Sequence, residues 1–498
     1  MAVNLSPVGG VAAQFFTNSG AVLTGGKLYT YAAGTTTPQT TYTTSSGSTA
    51  WTNPIILDAA GRVPNGGEIW VTAGQSYKFV LTDSNDVLIG TYDNVRGGGD
   101  AEFSFYSPAT SSLLAPGPLT VKEALDDITN ESSGSSVIGY LPAGSGAVAT
   151  TVQAKLRQYV NVLDFGAYND GTHATENSVA IQSAIDYCQT TRQTLYFGPG
   201  IFAFDASLVL DSTASNEGIA LVGDAFQSAQ AGSALPSCTL RWTGGAANMF
   251  EVNGSYFSMR GFAVENRGGA INFFYCTSGQ HYIFSNMDFV NGNGTTNFVG
   301  SIFRADTNNF GYSLWEHINV TSCADEFLYV DCNNSPNGLT PIEFRECGVD
   351  SNAGGPITFV RIDEGTCDAI SINNCMFNQQ TDDELVILNT SNCSTQPSIT
   401  QFTFRDNEID SVTTVAANRM FKLANTVNID FSNNTIQGGG SMQYLGYLVK
   451  SSITNLSGNY AKSVGYLFEV TDAYSSINVG WNNLNHSAML GTYNLNAA

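Results

Sequence analysis

A seven-residue pattern recurs nine times between Met259 and Asn485, and it constrains the chain to a stack of short, similar turns. The copies start at Met259, Phe284, Trp315, Phe344, Ile372, Phe404, Phe431, Leu456 and Val479, with steps of 25, 31, 29, 28, 32, 27, 25 and 23 residues. Aligned, they form seven columns. Column one is always apolar and column six is apolar or Ala461, so both are expected to point inward. A repeat of this length, rich in β-branched and aromatic residues and poor in helical periodicity, cannot bury its apolar face alone and must stack on its neighbours.

Column four runs Phe262, Met287, Ile318, Cys347, Cys375 and then Asn407, Asn434, Asn459, Asn482. Asn tolerates left-handed backbone, and its amide can hydrogen-bond the amide of the next rung. Column four is therefore expected to be an inward Asn ladder at a turn. Mere abundance of Asn would not place four in one column. At a strand spacing of about 4.8 Å the nine repeats rise roughly 40 Å. The expectation is an all-β chain dominated by a right-handed parallel β-helix, extended at its start by Thr194–Phe197, Ile219–Val222 and Cys238–Trp242.

Composition sets limits. The 498 residues suffice for two or more domains, and a formal charge of −23 disfavours nucleic acid and anionic membrane surfaces as partners. The nine Cys are odd in number and form no CxxC pair, which favours reduced core thiols over a disulfide framework or metal site. The four His (173, 281, 317, 486) lack the spacing of a metal site or triad, and no phosphate-binding GxxxxGK[ST] loop occurs, so no cofactor is expected. The N-terminus reads neither as a signal peptide nor as a membrane span, which points to synthesis in a cytoplasm without membrane insertion.

Residues 1–96 alternate apolar and polar around turn signals such as Gly25-Gly26, Ala33-Gly34 and Asn65-Gly66-Gly67, reading as a small all-β domain. Residues 97–150 form a linker and neck holding one short helix from Thr120 to about Glu131. Thr120 and Glu123 make a capping box there, and Val121, Leu125 and Ile128 an apolar stripe suited to a three-stranded neck or to packing on its own chain. Residues 151–192 carry a short helix around Leu156 and another from Glu176, with Ile181, Ile185 and Cys188 on one face. That second helix is expected to plug the open end of a β-helix over residues 193–498.

The segment Gly26–Pro38 (GKLYTYAAGTTTP), with Asn53–Arg62 (NPIILDAAGR), resembles the head-binding domain of podovirus tailspikes and tail fibres. The segment Val160–Gly171 (VNVLDFGAYNDG), followed by Ile181, Ala184 and Leu195–Gly200 (LYFGPG), resembles the opening of the pectate-lyase-like superfamily. The resemblance implies a homotrimer in a virion tail, held through residues 1–96 by tail or portal-adaptor proteins and adhering to bacterial surface polysaccharide. It also implies two alternatives: a polysaccharide depolymerase, glycosidase or lyase, on the same scaffold, or a structural adaptor carrying other fibres. Only thirteen residues follow the last repeat, too few for a separate C-terminal receptor domain.

Chemistry is expected on outward columns. With Asn407 and Ile409 inward, Asp406, Glu408 and Asp410 point out, and Asp350 shares a column with Asp410 two rungs away. Separations of about 6.6 Å along a strand and roughly 9.6 Å across two rungs suit an inverting glycosidase, with one carboxyl as acid and another activating water. The candidate catalytic residues are Asp350, Glu408 and Asp410. Solvent-facing acids are also what a chain of charge −23 displays without any catalysis. Asp382-Asp383-Glu384 reads as a solvated turn. Tyr460 and Trp481, on outward columns, are candidate polysaccharide-stacking residues or trimer contacts, whereas Trp242 and Trp315 are expected in the core or at its rim.

Overall fold

The computed structural model describes residues 2–98, 105–106, 119–212, 218–223, 238–290, 296–307, 310–320, 326–331, 341–350, 358–363, 366–379, 384–389, 399–411, 420–470, 472, 474–485 and 493–495. They fall into two compact units, Met1–Arg157 and Gln158–Ala498.

The first unit is built from short antiparallel strands. Val3–Leu5, Trp70–Thr72 and Thr41–Tyr42 form one sheet. Ile55–Ile56, Lys27–Ala32, Tyr77–Thr82 and Leu88–Val95 form another, in that order. Period-two alternation buries Leu28, Tyr77, Phe79 and Leu81 with Ile55, Ile69 and Val71, and leaves Tyr29 and Tyr31 stacked on the other side. The turn of the DAAGR segment is locked by Asp58, whose Oδ1 accepts from the amides of Ala60 at 2.8 Å and Arg62 at 2.9 Å. Gly61 sits there at φ +65°, where a Cβ would lie 2.7 Å from the Phe15 carbonyl oxygen, so only glycine fits.

Further along this unit, a helix spans Val121–Thr129 and leaves Leu125 and Ile128 exposed. The side chains of Thr120, Val121 and Glu123 lie outside the described residues. A second helix, Val152–Leu156, is capped by the Thr151 hydroxyl, which accepts from the Ala154 amide at 3.1 Å.

The second unit is a parallel β-helix with 29 strands among the described residues, each pairing in parallel with strands of neighbouring turns. The expected register holds throughout: the first residues of the nine repeats, Met259 to Val479, are successive backbone partners. Column one builds the first face and columns five to seven the second. A third face comes from return strands such as Phe274–Ser278, Phe303–Ala305, Glu326–Asp331 and Thr358–Asp363. Inside, rings stack rung on rung, as Trp315 does on Phe284 (5.7 Å) and Phe344 (4.8 Å). Both Trp242 and Trp315 are fully buried.

A helix from Ala174 to Thr191 buries Ile181, Ala184, Ile185 and Cys188 in one core with Val160, Leu195 and Phe197. Asn177, fully buried on that helix, accepts from the Tyr168 amide and donates to the carbonyls of Tyr168 and Ala203, tying it to the VNVLDFGAYNDG segment. In the same segment, hydrogen bonds from the Thr172 amide and hydroxyl, helped by His173, hold the Asp170 carboxyl down at about 2. The described cysteines, 188, 238, 276, 347, 367 and 375, are buried, whereas Cys323, Cys332 and Cys393 lie outside the described residues.

The Asn ladder exists, with one correction. Asn434 Oδ1 accepts from the Asn407 amide (3.0 Å) and Nδ2 (3.2 Å), Asn459 Oδ1 does the same for Asn434, and Asn482 Oδ1 for Asn459. Each of these amides also donates to a column-one carbonyl of the preceding rung: Ile372, Phe404, Phe431 or Leu456. The left-handed position, however, is column three, not four. Gly261, Asn286, His317, Glu346, Asn374, Asp406, Asn433 and Gly458 all have φ between +52° and +78°. The bend is made one residue earlier, which is what turns the column-four side chain inward.

Candidate functional site

The strand Glu408–Ser411 alternates about Ile409, which is fully buried, so that Glu408 and Asp410 are both exposed. On this second face, backbone pairing runs Asp350, Asn378, Asp410, Gln437, Lys462, Asn485 down column seven. Column five runs Met376, Glu408, Thr435, Tyr460, Asn483. Asp350 is half-buried and lies two rungs from Asp410, about 9.6 Å at strand spacing. Tyr460 is half-buried and falls in the same column as Glu408, two rungs further on.

The candidate residues thus share one sheet, except Trp481. It is 76% exposed at the bend position, where its carbonyl accepts from the Gly458 amide at 2.7 Å. Asp406 is also exposed but sits at the left-handed bend with φ +56°, off the sheet that carries Glu408 and Asp410. Asp382 and Asp383 lie outside the described residues, and Glu384 is half-buried. Carboxyls spaced by two residues or two rungs can place an acid and a base on either side of a glycosidic bond. Asn378 and Gln437 add side-chain amides along the same line, a run legible in the sequence as the polar content of column seven.

One polar cluster escapes the seven-residue pattern. On the third face Tyr275, Arg304, Tyr329 and Arg361 occupy successive rungs, each the backbone partner of the next. The signal was present as apolar-Tyr/Arg-apolar triplets, such as Phe303-Arg-Ala305 and Leu328-Tyr-Val330, with an Asp following the last three. Elsewhere, His317 Nε2 lies 2.5 Å from Glu346, and His173 Nδ1 lies 3.0 Å from Asp170. Among the described residues, no group of three or more His, Cys, Asp or Glu is arranged to hold a metal ion, and no helix is long and apolar enough to cross a membrane. His486 lies outside them.

Comparison with known proteins matches a family model, rhamnogalacturonase A/epimerase, pectate lyase-like, over residues 159–236, the opening motif and first rungs. No curated protein matches significantly. Among solved structures, tailspike protein 3 of bacteriophage CBA120 aligns with a TM-score of 0.49 and 13% identity, covering 75% of this chain and 61% of the tailspike. The tailspike of Acinetobacter phage vB_ApiP_P1 aligns at 0.43 and 15% identity, over 72% of this chain and 62% of that one. The A-module of the Azotobacter vinelandii mannuronan C-5 epimerase AlgE6 aligns at 0.41 and 14% identity, over 68% and 99%. The chain therefore spans about three fifths of the length of these tailspikes.

Proposed function

We propose that the protein is a bacteriophage tailspike, held in the virion tail through residues 1–96 and adhering through its β-helix to a bacterial surface polysaccharide. The observation that carries this reading is the joining of two motifs in one chain. The head-binding resemblance, Gly26–Pro38 with Asn53–Arg62, falls on a core strand and a turn that only glycine fits, and a pectate-lyase-like β-helix follows it. The exposed Leu125 and Ile128 on the intervening helix favour a homotrimer, since an apolar stripe left bare in one chain is covered by two others. A chain beginning at Thr151 should fold and fail to join tails. Normal incorporation of that truncated protein into virions would remove the anchor.

A second reading, a depolymerase on the same scaffold, is favoured by the alternation of Glu408 and Asp410 about buried Ile409 with Asp350 in register. In that reading one carboxyl protonates the leaving oxygen while another activates water. Asp410→Asn should then abolish polysaccharide cleavage and spare binding, because an isosteric change at an exposed site removes ionisation without opening a cavity. Cleavage at full rate by Asp410→Asn and Glu408→Gln would place the chemistry elsewhere.

A further inference from the structure

The third face carries a polar network that the second-face site does not use. Its central row is Tyr275, Arg304, Tyr329 and Arg361, on four successive rungs spanning about 14 Å at strand spacing. Tyr329 is sandwiched: the Arg304 guanidinium lies 4.5 Å from its ring centre and that of Arg361 5.0 Å. Beside this row runs an acidic one, in which Asp331 is the backbone partner of Asp363, and Asp306 follows the Ala305–Val330 pair. The rows are cross-linked. Asp306 accepts from the Tyr275 hydroxyl at 3.0 Å and Arg304 Nε at 2.8 Å. Asp363 accepts from the Tyr329 hydroxyl at 3.2 Å and Arg361 Nε at 2.8 Å. Glu326 accepts from Ser301 Oγ at 2.8 Å and Arg361 Nη1 at 3.4 Å.

Two of these carboxylates are expensive to keep. Glu326 is 8% exposed and Asp363 9%, and Asp363 Oδ1 has no hydrogen-bond partner among the described residues. Burial, with Asp363 and Asp331 close by, pushes the Tyr329 phenol up to about 12, so it remains a hydrogen-bond donor. A strand face needs none of this: the same central row continues into Ile387 on the next rung. Side chains locked by their neighbours before any ligand arrives are what a preorganised binding site requires.

We infer that this face is a second glycan-binding site, selective for a neutral, hydroxyl-rich polysaccharide. Rows of guanidinium donors and carboxylate acceptors run side by side, and a sugar hydroxyl, both donor and acceptor, satisfies either. Two guanidinium groups against the four carboxylates Glu326, Asp306, Asp331 and Asp363 give the patch a charge of 2 − 4 = −2, which repels polyanions. The inference rests on the reading of the chain as a polysaccharide adhesin and adds a location and a ligand chemistry to it.

The test is a surface array of bacterial polysaccharides, neutral O-polysaccharides beside acidic capsular ones, probed with the full-length protein. The wild type should bind neutral polysaccharides. Arg361→Gln and Asp363→Asn should weaken that binding at least ten-fold, whereas Arg260→Gln, with the same charge change at an exposed position of the first face, should not. Tyr329→Phe removes only the phenol donor and should weaken binding at least three-fold, which keeps the test decisive if the Arg361 variant misfolds. Wild-type binding that all third-face variants retain overturns the second site and leaves adhesion standing, and a preference for acidic polysaccharides overturns the ligand class. Absence of binding to every polysaccharide overturns the adhesin reading and this inference together.

Discussion

The repeats beginning at Met259, Phe284 and Trp315 make the same bend as those from Phe344 onward and fill it differently. In the early three, single strands, Ser258–Asn266, Ile283–Phe289 and Ser313–Val320, run through the bend, and column four is apolar, with Phe262, Met287 and Ile318 paired in the backbone ladder. From Phe344 on, strands stop before the bend and resume after it, as Phe402–Arg405 and Glu408–Ser411 do. There the column-four carbonyls still accept from the next rung, as Asn407 does from the Thr435 amide, while the column-four amides lose their backbone acceptor. From Cys375 to Asn459 the Asn Oδ1 of the following rung replaces it, as when the Cys375 amide donates to Asn407 at 2.8 Å. Asn in this column is thus the repair for a break in the backbone ladder, since a buried amide must be paired somewhere.

If that is right, exchanging the two fillings should be costly in both directions. Ile318→Asn, which buries an amide where the backbone ladder already provides the bonds and removes a core side chain, should cost about 4 kcal/mol. Asn434→Leu should cost about 2 to 3 kcal/mol, because the amide and Nδ2 of Asn407 lose their acceptor. Asn433→Val, at the left-handed bend with φ +58°, should cost about 1 to 2 kcal/mol through backbone strain alone. Thr435→Leu, on the outward column beside the ladder, should stay within about 0.5 kcal/mol. Denaturant unfolding of the four variants checks the ranking. Equal losses at Asn434 and Thr435 would break the inward and outward assignment and, with it, the placement of Glu408 and Asp410.

What was legible in the sequence follows the same division. The first two faces could be read because the bend fixes seven positions in every repeat, so column alignment alone gives register, inward Asn434 and outward Asp410. The third face could not. Its central-row strands begin to pair at Phe274, Phe303, Leu328 and Val360, which lie 15, 19, 13 and 16 residues after their column-one residues, so connections of varying length blur the alignment. Tyr329 and Arg361 consequently fall in no common column until backbone pairing joins them. The left-handed position was misplaced by one residue for a related reason. Column three holds the left-handed formers Gly261, Asn286, Asn374, Asn433 and Gly458, but His317, Glu346, Asp406 and Trp481 interrupt them, whereas the unbroken Asn run of the neighbouring column mimics the expected signature.

The most direct test of the central claim is to pass purified full-length protein over immobilised bacterial surface polysaccharides and to size what elutes. The account predicts retention on at least one polysaccharide, and if Glu408 and Asp410 cleave it, shortened chains that vanish with Asp410→Asn. A protein that passes unretained over every one of them, yet is present in the virion tail, would contradict the adhesin reading and leave the β-helix a structural stalk.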